Sequence, residues 1–294
     1  MSVLITGASG FVGSNFQENF HEKIIRIFSR DNEVIPDDIK IVIHLAGKAH
    51  DLNNIVTPYE YYKVNYEFTK KVYDDFLASK ARIFITLSSV KAVADEVIGS
   101  LSEKISAHPS TAFGKSKLLA EQYIFSKEIP AGKRVYVLRP CMIHGPGNKG
   151  NLNLLYKIVS KNIPWLLGAF ENKRSFCSID NLMFIFKELI EREDIPSGIY
   201  NVADDEPLST NELIGLIAQS QNRNAKLWKI SKKFIEVFAS IGDKLHLPLN
   251  TERLQKLTSS YVVSNAKIKA AIGKPLPVSS REGLLKTFKS FNNK

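Results

Sequence analysis

The chain has 294 residues, 44% of them hydrophobic, 24% charged and 10% aromatic, which excludes disordered, collagen-like and disulfide-scaffold proteins. Forty Lys and Arg against 30 Asp and Glu leave a net charge of +10, compatible with nucleic acid, an anionic membrane surface or an anionic small substrate. The basic residues are scattered apart from short clusters such as Lys70-Lys71 and Lys232-Lys233, so no nucleic-acid partner is expected. In chain order, residues 3–6, 24–28, 41–46, 83–88 and 135–139 are short, nearly continuous apolar runs, the pattern of parallel strands buried on both faces. Between them, 59–78 and 113–125 carry apolar residues at three- and four-residue spacing and predict helices. Alternation of this kind implies βαβ units and a doubly wound parallel sheet of the Rossmann type. The link between the second and third strands holds Pro36-Asp37-Asp38 and is too short for a helix plus a strand, so that crossover is trimmed.

Beyond Pro140 the pattern loosens into the turn-rich stretch 144–150, then helices at 181–193, 210–220 and 231–245 with a short strand at 198–202. The expected organisation is a dinucleotide-binding domain over 1–150, joined by returning elements around 180–203. A smaller mixed α/β substrate lobe takes 151–180 and 204–294. Cys141 and Cys177 are the sole cysteines, with no CxxC or Cys/His cluster, so neither a disulfide framework nor a metal site is expected. No run approaches the roughly 18 apolar residues needed to span a bilayer. The N-terminus enters its first strand without a leader pattern, so a cytoplasmic protein with no membrane partner is expected.

The first strand runs into Gly7-Ala8-Ser9-Gly10-Phe11-Val12-Gly13 and then a helix. Glycines at 7, 10 and 13 suit, in turn, a tight turn, close approach of a pyrophosphate, and close helix–strand packing. Free N–H groups and the positive end of the helix dipole then face the phosphates. An ordinary glycine-rich βα turn is the bland alternative, but strand, triplet and helix in a first βαβ unit point to a dinucleotide. After the second strand, Ser29-Arg30-Asp31 offers both an Arg for a 2′-phosphate and an acid for a ribose hydroxyl, and Arg30 tilts the choice of NAD or NADP towards NADP.

A strand ending in Ser88-Ser89 is followed about two dozen residues later by Ser110-Thr111-Ala112-Phe113-Gly114-Lys115-Ser116-Lys117. With the glycine turn, these segments resemble the extended short-chain dehydrogenase/reductase family, whose YxxxK motif is preceded by a strand-end Ser or Thr. His44-Leu45-Ala46-Gly47, Asn65 with Thr69, Arg139-Pro140, Arg174-Ser175-Phe176 with Asp180-Asn181-Leu182, and Tyr200-Asn201-Val202 with Glu212-Leu213 are similar to further motifs of that family, spread over nearly the whole chain. Ser88-Ser89-Val90-Lys91, the stretch 145–151 and the stretches 163–168 and 172–175 look most like the branch acting on UDP-sugars, the epimerase/dehydratase group.

The resemblance implies an NAD- or NADP-dependent UDP-hexose or UDP-N-acetylhexosamine 4-epimerase or 4-keto-sugar reductase of surface polysaccharide synthesis, acting as a homodimer. It implies cofactor contacts at Gly7, Ser9, Gly10, Phe11, Val12, Arg30, Leu45, Ala46, Gly47, Lys117 and Pro140. Ser89 would orient the substrate oxygen and Lys117 would lower the pKa of its neighbour and hold the nicotinamide ribose. Ser89, Lys91, Met142, Asn151, Leu167, Arg174 and Arg253 would face the UDP-sugar, with Arg174 first for the diphosphate and Leu166 or Leu167 behind the uracil. Met142 stands where the family often has Asn, and His44 reads as a structural strand-end histidine.

Residue 113 departs from the pattern. Side chains at 113 and 117 share a helix face, but a Phe ring cannot carry a proton. A Tyr→Phe replacement made to trap a complex, a natural protein that is weak or repurposed, and another acid/base drawn from Tyr59, Tyr61, Tyr62, Lys91 or His144 each account for it. The alternative function is a catalytically silent dinucleotide- and nucleotide-sugar-binding protein of the same fold.

Overall fold

The computed structural model describes residues 2–21, 24–28, 34–48, 56–148, 150–245 and 250–292. Strand β1 (Ser2–Thr6) leads into helix α1 (Phe11–Asn19) and then β2 (Ile24–Ile27) and β3 (Ile41–His44). The predicted helix at 59–78 is α2 (Pro58–Tyr61), a π-helical stretch (Tyr62–Glu67) and α3 (Phe68–Ala78) in one run. There follow β4 (Ile83–Leu87), the two-residue β5 (Ser100–Leu101), α4 (Ala112–Ser126), β6 (Arg134–Pro140) and β7 (Met142–His144). After α5 (Asn151–Ser160) come β8 (Phe176–Ser178), α6 (Ile179–Glu191), β9 (Gly198–Val202), α7 (Thr210–Ser220), α8 (Lys232–Leu245) and α9 (Thr251–Thr258). The chain closes with β10 (Val262–Val263), α10 (Ala266–Ile272) and α11 (Ser280–Phe291).

Six strands form one parallel sheet in the order β2-β1-β3-β4-β6-β9. The continuous apolar runs follow from the pleat, because alternate residues enter opposite cores. Val3, Ile5, Ile41, Ile43, Ile83, Ile85, Tyr136 and Leu138 join one cluster with Phe16 of α1 and Phe186 of α6. Leu4, Val42, Phe84, Val135 and Val137 join the other, with Val72, Tyr73 and Phe76 of α3 and Ile124 of α4. Residues 34–40 of the trimmed link form turns rather than a helix. The sheet is therefore doubly wound, and its order reverses at β1, where open α/β sheets place their ligand crevice.

A third core gathers Leu152 and Leu155 of α5, Leu213, Ile214 and Ile217 of α7, Ile235 and Ala239 of α8, and Leu284 and Phe288 of α11. Beside it lie two small parallel ladders, β7 with β8 and β5 with β10. Capping boxes at Ser209–Glu212 and Ser279–Glu282 start α7 and α11 by satisfying first-turn N–H groups. Cys141 and Cys177 are free and buried.

Candidate functional site

Gly7 turns the chain at the end of β1 with φ +71°, and a Cβ there would stand 2.6 Å from the Ala46 backbone nitrogen. At Gly13 a Cβ would collide with the Gly7 carbonyl oxygen, so both positions need glycine for reasons of space. Gly10 differs: a Cβ would meet only the Gly7 oxygen, at 3.3 Å, and otherwise enter open space at the head of α1. The N-cap Gly10 offers no side chain to the first-turn N–H groups, which remain for a phosphate. Ser9 and Gly10 are exposed, while Phe11 and Val12 are half-buried. This turn fits the pyrophosphate of a dinucleotide. Arg30 lies outside the described residues.

The loop after β3 is held from two sides. Leu45 N–H donates to the Thr6 carbonyl and Ala46 N–H to Thr6 Oγ1 at 3.0 Å. Asn65, fully buried in the π-helical stretch, accepts from Lys48 N–H at 2.8 Å and donates to the Lys48 carbonyl and to Ser116 Oγ. His44 sits beneath, with Nδ1 2.8 Å from Thr6 Oγ1 and Nε2 2.9 Å from Thr69 Oγ1. Since Thr69 spends its proton on the Asn65 carbonyl, Nε2 must be the donor and Nδ1 the acceptor. Burial and the Lys117 charge push the His44 pKa down to about 3. His44 is thus a neutral structural clamp on the loop formed by Leu45, Ala46 and Gly47.

Helix α4 presents Phe113 and Lys117 on one face. Phe113 is 8% exposed and packs edge-on against Tyr61, ring centroids 5.9 Å apart. Lys117 Nζ donates to the Leu87 carbonyl at 2.8 Å, next to Gly47, where a Cβ would stand 3.1 Å away. Burial lowers its pKa to about 8 against the opposing pull of Glu121. The two strand-end serines part company here. Ser88 gives its hydroxyl proton to Glu121, which also accepts from Arg139 Nε at 2.9 Å. Ser89 accepts from Lys91 N–H at 3.2 Å, and its hydroxyl proton has no acceptor among the described residues.

Lys91 packs on the Tyr261 ring, and the Arg174 backbone pairs with that of Tyr261. Lys91 Nζ lies 4.4 Å from the Tyr261 ring centre and donates to the Asp95 carbonyl at 2.7 Å. Arg174 bridges the backbones of Leu208 and Tyr261, and Tyr261 donates its hydroxyl to the Ala94 carbonyl at 2.7 Å. Burial holds both cations below their ordinary pKa values. For Lys91, Asp95 opposes the fall and Arg174 adds to it. The half-buried Arg174 guanidinium has no carboxylate partner among the described residues. Two partly buried cations that feel each other's charge are a place for an anion.

The other expected substrate residues are dispersed. Met142, in β7, packs on the third core, and Leu167 is a buried member of it, whereas Leu166 is exposed. Asn151 begins α5 and is exposed, as is Arg253 on α9. Pro140 closes β6 beside Val202. His144 is buried between Thr287 and Asp204. Sequence reasoning missed the roles of Glu121, Asp95 and Tyr261. Glu121 falls within the predicted helix 113–125, but its partner lies 18 residues away, and Tyr261 is 170 residues from Lys91.

The doubly wound sheet, the glycine turn at its switch point and the buried lysine at the end of β4 define an NAD-dependent enzyme of the dinucleotide-binding α/β class. More narrowly, the chain belongs to the NAD dependent epimerase/dehydratase family, whose sequence pattern matches residues 3–203. It is 25% identical to a UDP-glucose 4-epimerase of Vibrio cholerae, over 99% of this chain and 95% of that protein. It is 26% identical to N-acetyl-alpha-D-glucosaminyl-diphospho-ditrans,octacis-undecaprenol 4-epimerase of Escherichia coli O157:H7, over 76% of this chain and 73% of the other. Among solved structures, the UDP-N-acetylglucosamine 4-epimerase of Bacillus cereus superposes with a TM-score of 0.77 at 18% identity, covering 100% of both chains.

Proposed function

We propose that the protein transfers hydride at C4 of a UDP-hexose or UDP-N-acetylhexosamine, as a 4-epimerase or 4-keto-sugar reductase of surface polysaccharide synthesis. The observation that carries this reading is Arg174, a half-buried guanidinium beside Lys91 with no carboxylate among the described residues. A diphosphate between the glycine-turn domain and the smaller lobe supplies the missing anion. The curated relatives act on sugar diphosphates by name. When held at the glycine turn, NAD or NADP would supply or accept the hydride. Ser89 donates its unclaimed hydroxyl proton to the sugar oxygen, and Lys117 fixes the ribose edge under the Ala46–Gly47 loop. Leu166 or Leu167, Asn151 and Arg253 complete the nucleotide side, on the lobe of residues 151–180 and 204–294. The protein works in the cytoplasm as a homodimer through the helices at 59–78 and 113–128, whose Leu119 and Phe125 are both 38% exposed.

A second reading is favoured by Phe113, which puts no hydroxyl on the face it shares with Lys117: a protein that binds the same two ligands without turnover. Two substitutions test the binding assignments. Arg174→Ala is expected to cost about 1.5–3 kcal/mol of UDP-sugar affinity, the range of a charge-assisted contact, with cofactor affinity little changed by calorimetry. Equal loss of both ligands would mean that Arg174 supports the lobe instead. Gly10→Val places a branched Cβ in the open space before α1 and is expected to abolish cofactor binding while the fold persists. A folded Gly10→Val protein with unchanged NAD or NADP affinity refutes the pyrophosphate placement.

A further inference from the structure

We propose that α8 and the basic segment leading into it dock the protein on an anionic lipid surface, with the helix lying in the interface. Helix α8 has two apolar faces. Ile235, Ala239 and Gly242 turn inward, the first two joining the third core. About 100° round the helix, Phe234, Val237, Phe238, Ile241 and Leu245 are between 44% and 64% exposed. Their spacing of three and four residues aligns them in one stripe. A single exposed apolar residue is ordinary; five on one stripe of a 14-residue helix form a surface that wants a partner.

Charge selects the partner. Residues 223–233 hold Arg223, Lys226, Lys229, Lys232 and Lys233 and no acidic residue. Trp228, in the same stretch, is 56% exposed. At about 100° per residue, Lys233 and Lys244 fall at the edge of the apolar stripe, where their stems can lie along it and their ammonium groups reach headgroups. Phe along the apolar stripe, cations at its border and an exposed Trp in the segment leading in match the composition of helices that lie in the headgroup layer. A second copy of this chain, at a net +10, would bring cations onto cations, whereas an anionic bilayer complements them. No helix among the described residues is long and apolar enough to cross a membrane, and α8 spans only about 21 Å. The sequence expectation of no membrane partner rested on the lack of a spanning run, which a surface-lying helix does not need. This inference is independent of the sugar reading.

Sedimentation of the full-length protein with vesicles of phosphatidylcholine containing about 30% phosphatidylglycerol tests it. The protein is expected to co-sediment with these vesicles, to bind pure phosphatidylcholine at least tenfold more weakly, and to be released by about 0.5 M salt. Phe234→Ser/Phe238→Ser and Lys232→Glu/Lys233→Glu should each weaken binding at least tenfold while cofactor affinity is unchanged, since all four residues are exposed. Absence of sedimentation with anionic vesicles overturns the proposal, as does undiminished binding by the serine variant. An oligomer that the serine variant dissociates, without vesicle binding by the parent, would show that a second copy covers the stripe.

Discussion

Phe113→Tyr is expected to raise the rate of hydride transfer with a UDP-sugar by about 10²–10⁴-fold, the range that a positioned general acid–base contributes. In barrier terms this is about 3–5 kcal/mol. The surroundings are already in place: Lys117 lies one turn along the same face, its pKa lowered to about 8 by burial, and Ser89 holds an unclaimed proton nearby on the strand end. A phenol beside a buried ammonium has its own pKa lowered by that charge, so it can both take and return a proton near neutral pH. Phe and Tyr share shape, and Phe113 is held edge-on against Tyr61 rather than inside the sheet core, so the affinities for both ligands should hardly change. The gain should therefore sit in kcat, followed by cofactor absorbance during single turnover. A Tyr variant no faster than the parent across several UDP-hexoses favours the binding-protein reading. High activity in the parent chain would instead place the acid/base elsewhere. Tyr61, the ring in contact with Phe113, is then the first residue to replace by Phe.

The central strands were legible because they are buried on both faces, which turns the alternation of a half-buried strand into a continuous apolar run, as in Val3-Leu4-Ile5 and Ile83-Phe84-Ile85. The glycine turn was legible because the left-handed backbone at Gly7 and the close packing of Gly13 on Gly7 and Ala8 are local. Three things were not legible, each because its cause lies between distant parts of the chain. Nothing near Lys91 announces that Tyr261 will lie under it. The π-helical stretch that buries Asn65 interrupts a segment whose apolar spacing reads as one regular helix. In α8 the apolar residues were visible, but only packing decides that Ile235 and Ala239 face inward and Phe234 and Phe238 outward. Within the site, the resemblance singled out Ser89 of the two strand-end serines, and the structure gives the other, Ser88, a partner, Glu121, that sequence spacing does not reveal.

Glu121→Ala is expected to destabilise the fold by about 3–5 kcal/mol, the cost of stranding one partner of a buried ion pair. The Glu121 and Arg139 side chains are 3% and 6% exposed and form an ion pair, Arg139 donating through Nε and Nη2. Removing the carboxylate leaves a guanidinium in a dry setting and takes away the acceptor of the Ser88 hydroxyl. The cost falls on the end of β4 and on β6, where this carboxylate joins α4 to Ser88 and Arg139, so a folded remnant should also lose cofactor affinity. The Lys117 pKa should drop below its value of about 8, because Glu121 is the charge that opposes burial there. Glu121→Gln keeps an acceptor for Ser88 and Arg139 and should lose less. Glu121→Leu with Arg139→Met should recover most of the loss, since replacing a whole buried pair by apolar groups is often close to neutral. Urea midpoints at constant slope measure all three. A Glu121→Ala protein within about 1 kcal/mol of the parent would show that water reaches Arg139 and that the pair is not what anchors α4 to the sheet.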